Sequence, residues 1–182
     1  MAGIKNNIFD HVLYEFEMYI YSYSELIRLC PPKGLDQLKY NMAIECYSVH
    51  LRNILEFFNC DGGENCIDVN MILKGSHNYA LSGEPYKSLM VKQYVNKSVD
   101  HLSRQRFCWD GDEIKDLAER QKKIPIVMFK QYISIRIKAF LKQLLSQHDV
   151  KPEWINFCNE QLIQMRINVL LQYLQNVPDE TF

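Results

Sequence analysis

Glycine and proline are scarce here, seven and six among 182 residues. A turn-rich β architecture needs many more chain reversals than that supply supports, so long helices are favoured. Long apolar runs are missing too. No segment approaches the roughly 18 uninterrupted apolar residues of a membrane-spanning helix, so no membrane partner is expected. The opening MAGIKNNIFDHV breaks every apolar run with charge or amide, unlike a secretory leader. The expected location is therefore the cytoplasm. The six cysteines (Cys30, Cys46, Cys60, Cys66, Cys108 and Cys158) include no CxxC pair. Four of them sit on or beside apolar helical faces, where a free thiol behaves as a small hydrophobe in a reducing compartment. There is no glycine-rich phosphate loop, no HExxH and no GxSxG. Neither a cofactor nor a metal is expected. Cys60, Cys66 and His77 offer at most a weak metal constellation. Asp110, Asp112, Glu113, Asp116 and Glu119 read more simply as favourable charge in a helix's first turns than as magnesium ligands.

What is present is a hydrophobic content of 47%, enough for one well-buried domain spanning residues 1–182. The net charge of −1 gives no global case for nucleic acid, but its distribution is uneven. Residues 1–70 carry five Lys/Arg against ten Asp/Glu, residues 71–151 fifteen against eight, and the remainder one against four. A basic middle permits a phosphate-binding face. A solvated surface is the simpler account.

Taken in order, Asn7 to Leu29 has the period of an amphipathic helix. Ile8, Val12, Phe16, Tyr19, Tyr23, Leu26 and Ile27 share a face, Asp10, Glu17 and Arg28 lie opposite, and Asn6 or Asn7 is the expected cap. Cys30-Pro31-Pro32-Lys33-Gly34 stops it. Asp36 caps a second helix running to about Asn59. Residues 60–84 hold four of the seven glycines and read as a long loop with one short helix around Val69 to Leu73. Pro85 opens a third helix to about Arg106. Asp112 caps the next, which Pro125 interrupts. Beyond it Ile126, Phe129, Ile133, Ile137, Phe140, Leu141 and Leu144 form a strong apolar face. Pro152 begins a last helix ending near Asn176, greasy on two sides: Trp154, Cys158, Leu162, Met165, Val169 and Tyr173 on one, Ile163, Ile167, Leu170 and Leu174 on the other. Such a helix is central in a bundle or packs against another subunit.

Two helical stretches carry the candidate chemistry. Along the second helix Ile44, Cys46, Tyr47, Leu51, Ile54, Leu55, Phe57 and Phe58 fill one half of the circumference at about 100° per residue, with His50 among them. Glu45, Arg52 and Glu56 form a charged stripe on the other half. In the third helix Lys97, His101 and Arg104 form a polar ridge with Tyr94 beside it. Packed side by side, the helices would bring the two stripes together. His50 reads as a core residue bonded to a neighbouring helix. The cations around His101 would hold its pKa low and leave it a proton acceptor, although a solvated histidine on a basic face is the simpler account.

Glu45, then His50-Leu51-Arg52 and Phe57-Phe58, an acidic Asp68, and Asn96-Lys97 followed by His101-Leu102 resemble the HEPN-like class of small bacterial helical proteins, over roughly residues 38 to 110. The resemblance implies an all-α antiparallel bundle of about five long helices, a homodimer, and in many members a metal-independent ribonuclease of toxin, phage-defence or RNA-processing systems. That signature is an arginine followed four to six positions later by a histidine. Here Asn96 stands five residues before His101, Lys97 only four, and Arg52 has no histidine at that spacing downstream.

Two readings of function follow. In the first, the protein binds RNA or cleaves it weakly without metal, in phage defence or stress response. His101 moves the proton, Lys97, Arg104 or Arg52 stabilises the phosphate charge, and Glu45 orients Arg52. Lysine in place of arginine loses the bidentate fork and weakens such catalysis. In the second, the protein is a non-catalytic helical interaction module, its charged stripes forming inter-helix ion pairs and its two-faced last helix holding a partner protein.

Overall fold

A computed structural model describes the chain over residues 2–29, 36–59, 67–75 and 126–176, with side chains over 8–29, 36–59, 67–75 and 132–176. The described chain is all-α: α1 (Ala2–Leu29), α2 (Asp36–Asn59), α3 (Ile126–Ser146), α4 (Pro152–Cys158) and α5 (Gln161–Tyr173), with a 3₁₀ turn at Val69–Met71. Among the described residues no helix is long and apolar enough to cross a membrane. The helices expected from Pro85 to Arg106 and after Asp112 lie outside the described residues.

Three rows of aromatic rings show how the helices run. Phe16 of α1 lies against Phe57 and Phe58 of α2, whereas Tyr23, two turns later, meets Tyr47, an earlier residue of α2. The two helices are therefore antiparallel. Phe140 of α3 closes the centre, its ring edge-on to Phe16 at 5.8 Å and to Phe57 at 5.3 Å. These rings are buried, and each contributes roughly 2–3 kcal/mol by leaving water. A second cluster, Phe9 with Trp154 and Phe157, fastens α4 to the start of α1.

Residues 67–75 are tied to the connection between α3 and α4. Leu73 and Val150 form an isolated antiparallel bridge, in which the Lys74 N–H donates to the Asp149 carbonyl and the Lys151 N–H to that of Ile72. The Trp154 indole N–H donates to the Met71 carbonyl at 2.6 Å, and Val69, Ile72 and Leu73 are buried beneath. Gly75 follows at φ 64°, a left-handed turn that costs glycine nothing. The short helix expected near Val69 is thus a single 3₁₀ turn.

The helix ends differ from expectation in two places. Expected to begin at Asn7, α1 begins at Ala2, so Asn6 and Asn7 are helical residues and not caps. Ile27, assigned to its apolar face, is 56% exposed because it lies past the edge of the buried arc that Tyr23 and Leu26 define. The larger correction concerns the last helix, expected to run unbroken from Pro152. It is two helices, separated where Glu160 takes an extended backbone (φ −63°, ψ 130°). The Gln164 side-chain amide reaches back to the Cys158 carbonyl that the break leaves without a helical partner.

The break also resolves the two-faced pattern. One unbroken helix would place Trp154, Cys158, Leu162, Met165, Val169 and Tyr173 on one side. With a joint between them, Trp154 and Cys158 turn inward, while Leu162, Met165, Val169 and Tyr173 remain outside. Ile163, Ile167, Leu170 and Leu174 take the buried side of α5.

Candidate functional site

A polar cluster sits in the otherwise apolar seam between α1 and α2. Glu15 lies one residue before Phe16, on the arc that α1 turns to the core, and is buried. Its position opposite α2 follows from the helix period, not from any preference for burial. A bare carboxylate there would be prohibitively expensive. His50 Nδ1 lies 2.7 Å from Glu15 Oε2, and the Asn53 amide donates to the same oxygen at 3.0 Å. His11, one turn back on α1, places Nε2 3.7 Å from Oε1. Burial pushes the Glu15 carboxyl up. The hydrogen bonds from His50 and Asn53, with the nearby imidazoles, outweigh that and hold it below the ordinary carboxylate range. An ionised carboxylate only accepts, so His50 donates Nδ1–H and keeps Nε2 as its free-pair nitrogen when neutral.

Beside this cluster a cleft of about 250 Å³ opens between the helices, with His11, Glu15, Asn53 and Glu56 around it and Phe16 and Phe57 among its apolar lining. A carboxylate that fixes an imidazole tautomer is one half of a general-base arrangement. Here, however, His50 is itself buried, with the Tyr14 ring edge-on at 5.6 Å. The imidazole open to water is that of His11, whose side chain is 54% exposed. The arrangement thus joins two helices and presents one open imidazole.

Of the residues singled out from the sequence, His50 is a core histidine bonded to the neighbouring helix, as expected. Arg52 is half-exposed, its Nε donating to Glu56 at 2.9 Å one turn on. Among the described residues that is the carboxylate meeting the guanidinium; the orienting partner expected was Glu45, which is exposed two turns earlier. Asp68 precedes the 3₁₀ turn, accepting through its main-chain oxygen from Met71 N–H, and its Oδ1 is buried with no hydrogen-bond partner among the described residues. His101, Lys97, Arg104, Asn96 and Tyr94 lie outside the described residues, and with them the meeting of the two charged stripes. So do Cys60, Cys66 and His77. Among the described residues no group of three or more His, Cys, Asp or Glu is placed to hold a metal ion.

Sequence reasoning missed Glu15, His11 and Asn53. One signal was available: a lone carboxylate on the buried arc of α1 and a lone imidazole on the buried arc of α2 each demand a partner, and each supplies the other.

Two further features matter for what the surface can do. Arg166 of α5 reaches α1 with its whole fork, Nε to Glu17 at 2.7 Å and Nη1 to Asp10 at 2.7 Å. Among the described residues the two thiols are passive, since burial raises the Cys46 pKa and pushes Cys158 up to about 11. Compared with known protein families, curated proteins and solved structures, the chain matches none.

Proposed function

We propose that the protein acts as a non-catalytic helical interaction module that meets its partner through the outer side of α5. The observation that carries this reading is the row Leu162, Met165, Val169 and Tyr173, each between 45% and 69% exposed along one side of a single helix. Scattered apolar residues on a surface are ordinary; an aligned row is what helix-to-helix recognition uses. The polar cluster supports the same reading from the other direction. Glu15 is hydrogen-bonded to His50 and Asn53 across the seam, as polar contacts that lock helices together are.

The test is association measured with wild-type protein and Met165→Glu, a substitution at an exposed position. Binding that is present in the first and lost in the second, with unchanged helical content, supports the module. Equal association in both removes it.

The HEPN-like resemblance keeps RNA cleavage as a second reading, favoured by one observation: the Arg52 side chain remains 43% exposed despite its bond to Glu56, open to a phosphate. Incubation with structured and single-stranded RNA in EDTA, alongside His101→Ala, separates the two. Cleavage that survives chelation and disappears in the variant establishes the ribonuclease and displaces the module. Equal background in both across several RNAs eliminates it.

A further inference from the structure

Residues 161–176 contain one charged side chain, Arg166, in a chain that is 24% charged. Its guanidinium is spent on Glu17 and Asp10 of α1, leaving the outer side of α5 without a free charge. What remains is the apolar row, flanked by the exposed amides of Gln161, Asn168 and Gln172. This composition restricts the partner. An RNA backbone needs unpaired cations, and an anionic membrane surface favours basic residues bordering the apolar row; α5 offers neither. A charged protein surface would bury charges against groups unable to neutralise them. Amides, which donate and accept, match a second set of amides.

The spacing restricts it further. Leu162, Met165, Val169 and Tyr173 follow one another at three, four and four residues, the interval of a helix-to-helix seam. They are also nearly symmetric about Ile167, two of them before it and two after. Rotating a copy by 180° about an axis through that point sets Met165 opposite Val169 and Leu162 opposite Tyr173. A twofold interface requires this self-complementarity.

Resting on the interaction-module reading, we infer that the partner is a second copy of this chain, its α5 packed antiparallel against the first about a twofold axis near Ile167. The row exposes roughly 400 Å² of apolar surface per protomer. With the flanking amides the pair buries on the order of 1,000 Å², the lower bound for a specific interface. The dimer is accordingly concentration-dependent, with a dissociation constant on the order of 1–100 µM.

Sedimentation equilibrium of the full chain from about 1 to about 200 µM brackets that range. Wild type moves from monomer to dimer across it. Met165→Glu alone and Val169→Lys alone each weaken association at least roughly tenfold, because each buries a charge against an apolar side chain. An equimolar mixture of the two recovers a dimer, because the antiparallel register places the glutamate opposite the lysine. Circular dichroism of both variants matches wild type, since the positions are exposed.

Three results overturn the inference. Recovery by mixing Met165→Glu with Met165→Lys, but not with Val169→Lys, would mean a parallel register. A wild type that stays monomeric, with Met165→Glu lowering its melting temperature, would mean that the row is covered within its own chain. A monomeric wild type that still loses a different binding partner on Met165→Glu would reject the second copy while leaving the interaction module standing.

Discussion

The seam between α1 and α2 and the outer side of α5 depart from the oily-inside, polar-outside rule in opposite directions. In the seam a carboxylate and an imidazole are buried with a half-buried amide beside them, and the carboxylate accepts a hydrogen bond from each of the other two. On α5 four large apolar side chains face water, and nothing within the described chain covers them. The difference lies in where each group's partner resides. A buried polar group left unmatched within the fold costs roughly 1–3 kcal/mol of stability. An exposed apolar group costs the fold little and can wait for a partner.

That contrast breaks most visibly at Glu15. Glu15→Ala leaves the His50 Nδ1 proton and the Asn53 amide without acceptors, and is expected to cost about 3 kcal/mol in urea unfolding. Glu15→Gln retains an acceptor and should cost about half as much. A loss under about 1 kcal/mol for the alanine variant would mean that water replaces the carboxylate and the seam is not closed.

The second break is at Arg166, which belongs to both regions by joining α5 to α1. Arg166→Met keeps the packing stem and removes the fork to Asp10 and Glu17; the expected loss is about 1 kcal/mol, shrinking as salt is added. Because Asp10 is 54% and Glu17 39% exposed, a salt-independent loss would point to packing as the cause.

Acid gives a smaller, continuous version of the first test. Glu15 is held below its unfolded pKa, so the stability it contributes is complete above the unfolded carboxylate value of about 4.3 and is lost as pH falls through the depressed folded value. Wild type should therefore lose stability more steeply than Glu15→Gln below about pH 5. Parallel curves would show that another group governs acid unfolding.

The smallest effect belongs to the outer surface. Val169→Glu should change monomer stability by less than about 0.5 kcal/mol, in dilute protein where no association competes. A larger loss would place that side chain against its own chain and dissolve the contrast between the two regions.

The sequence revealed the regular parts of this architecture well. The apolar arc of α2 was legible because every third or fourth residue repeats one instruction, and its limits at Asp36 and Asn59 lie where expected, although Asp36, expected as the cap, is itself the first helical residue. His50 stood out as a polar intrusion, and its burial follows from the same arc. Glu15 was not found, because a carboxylate on a helix is ordinarily solvated and only its juxtaposition with α2 makes it otherwise. The joint at Asn159 and Glu160 was also missed. Neither residue breaks helices as proline does, and the cause is tertiary: Trp154 and Cys158 must enter the core while Ile163 and Ile167 enter it from a different direction. The pairing of Arg52 with Glu56 over Glu45 is a matter of reach, one turn against two.

The joint carries a consequence for how tolerant this chain is of length changes. Each residue of an α-helix advances the side chains by about 100°, so one residue added after Gln161, just past the joint, would swing the rest of α5 like a dial while α4 stays anchored by its tryptophan. The amide flank would then face inward and part of the Ile163-Ile167-Leu170 row would meet solvent. Two non-helical residues therefore decide which of the final helix's two oily rows belongs to the protein and which is offered to the outside.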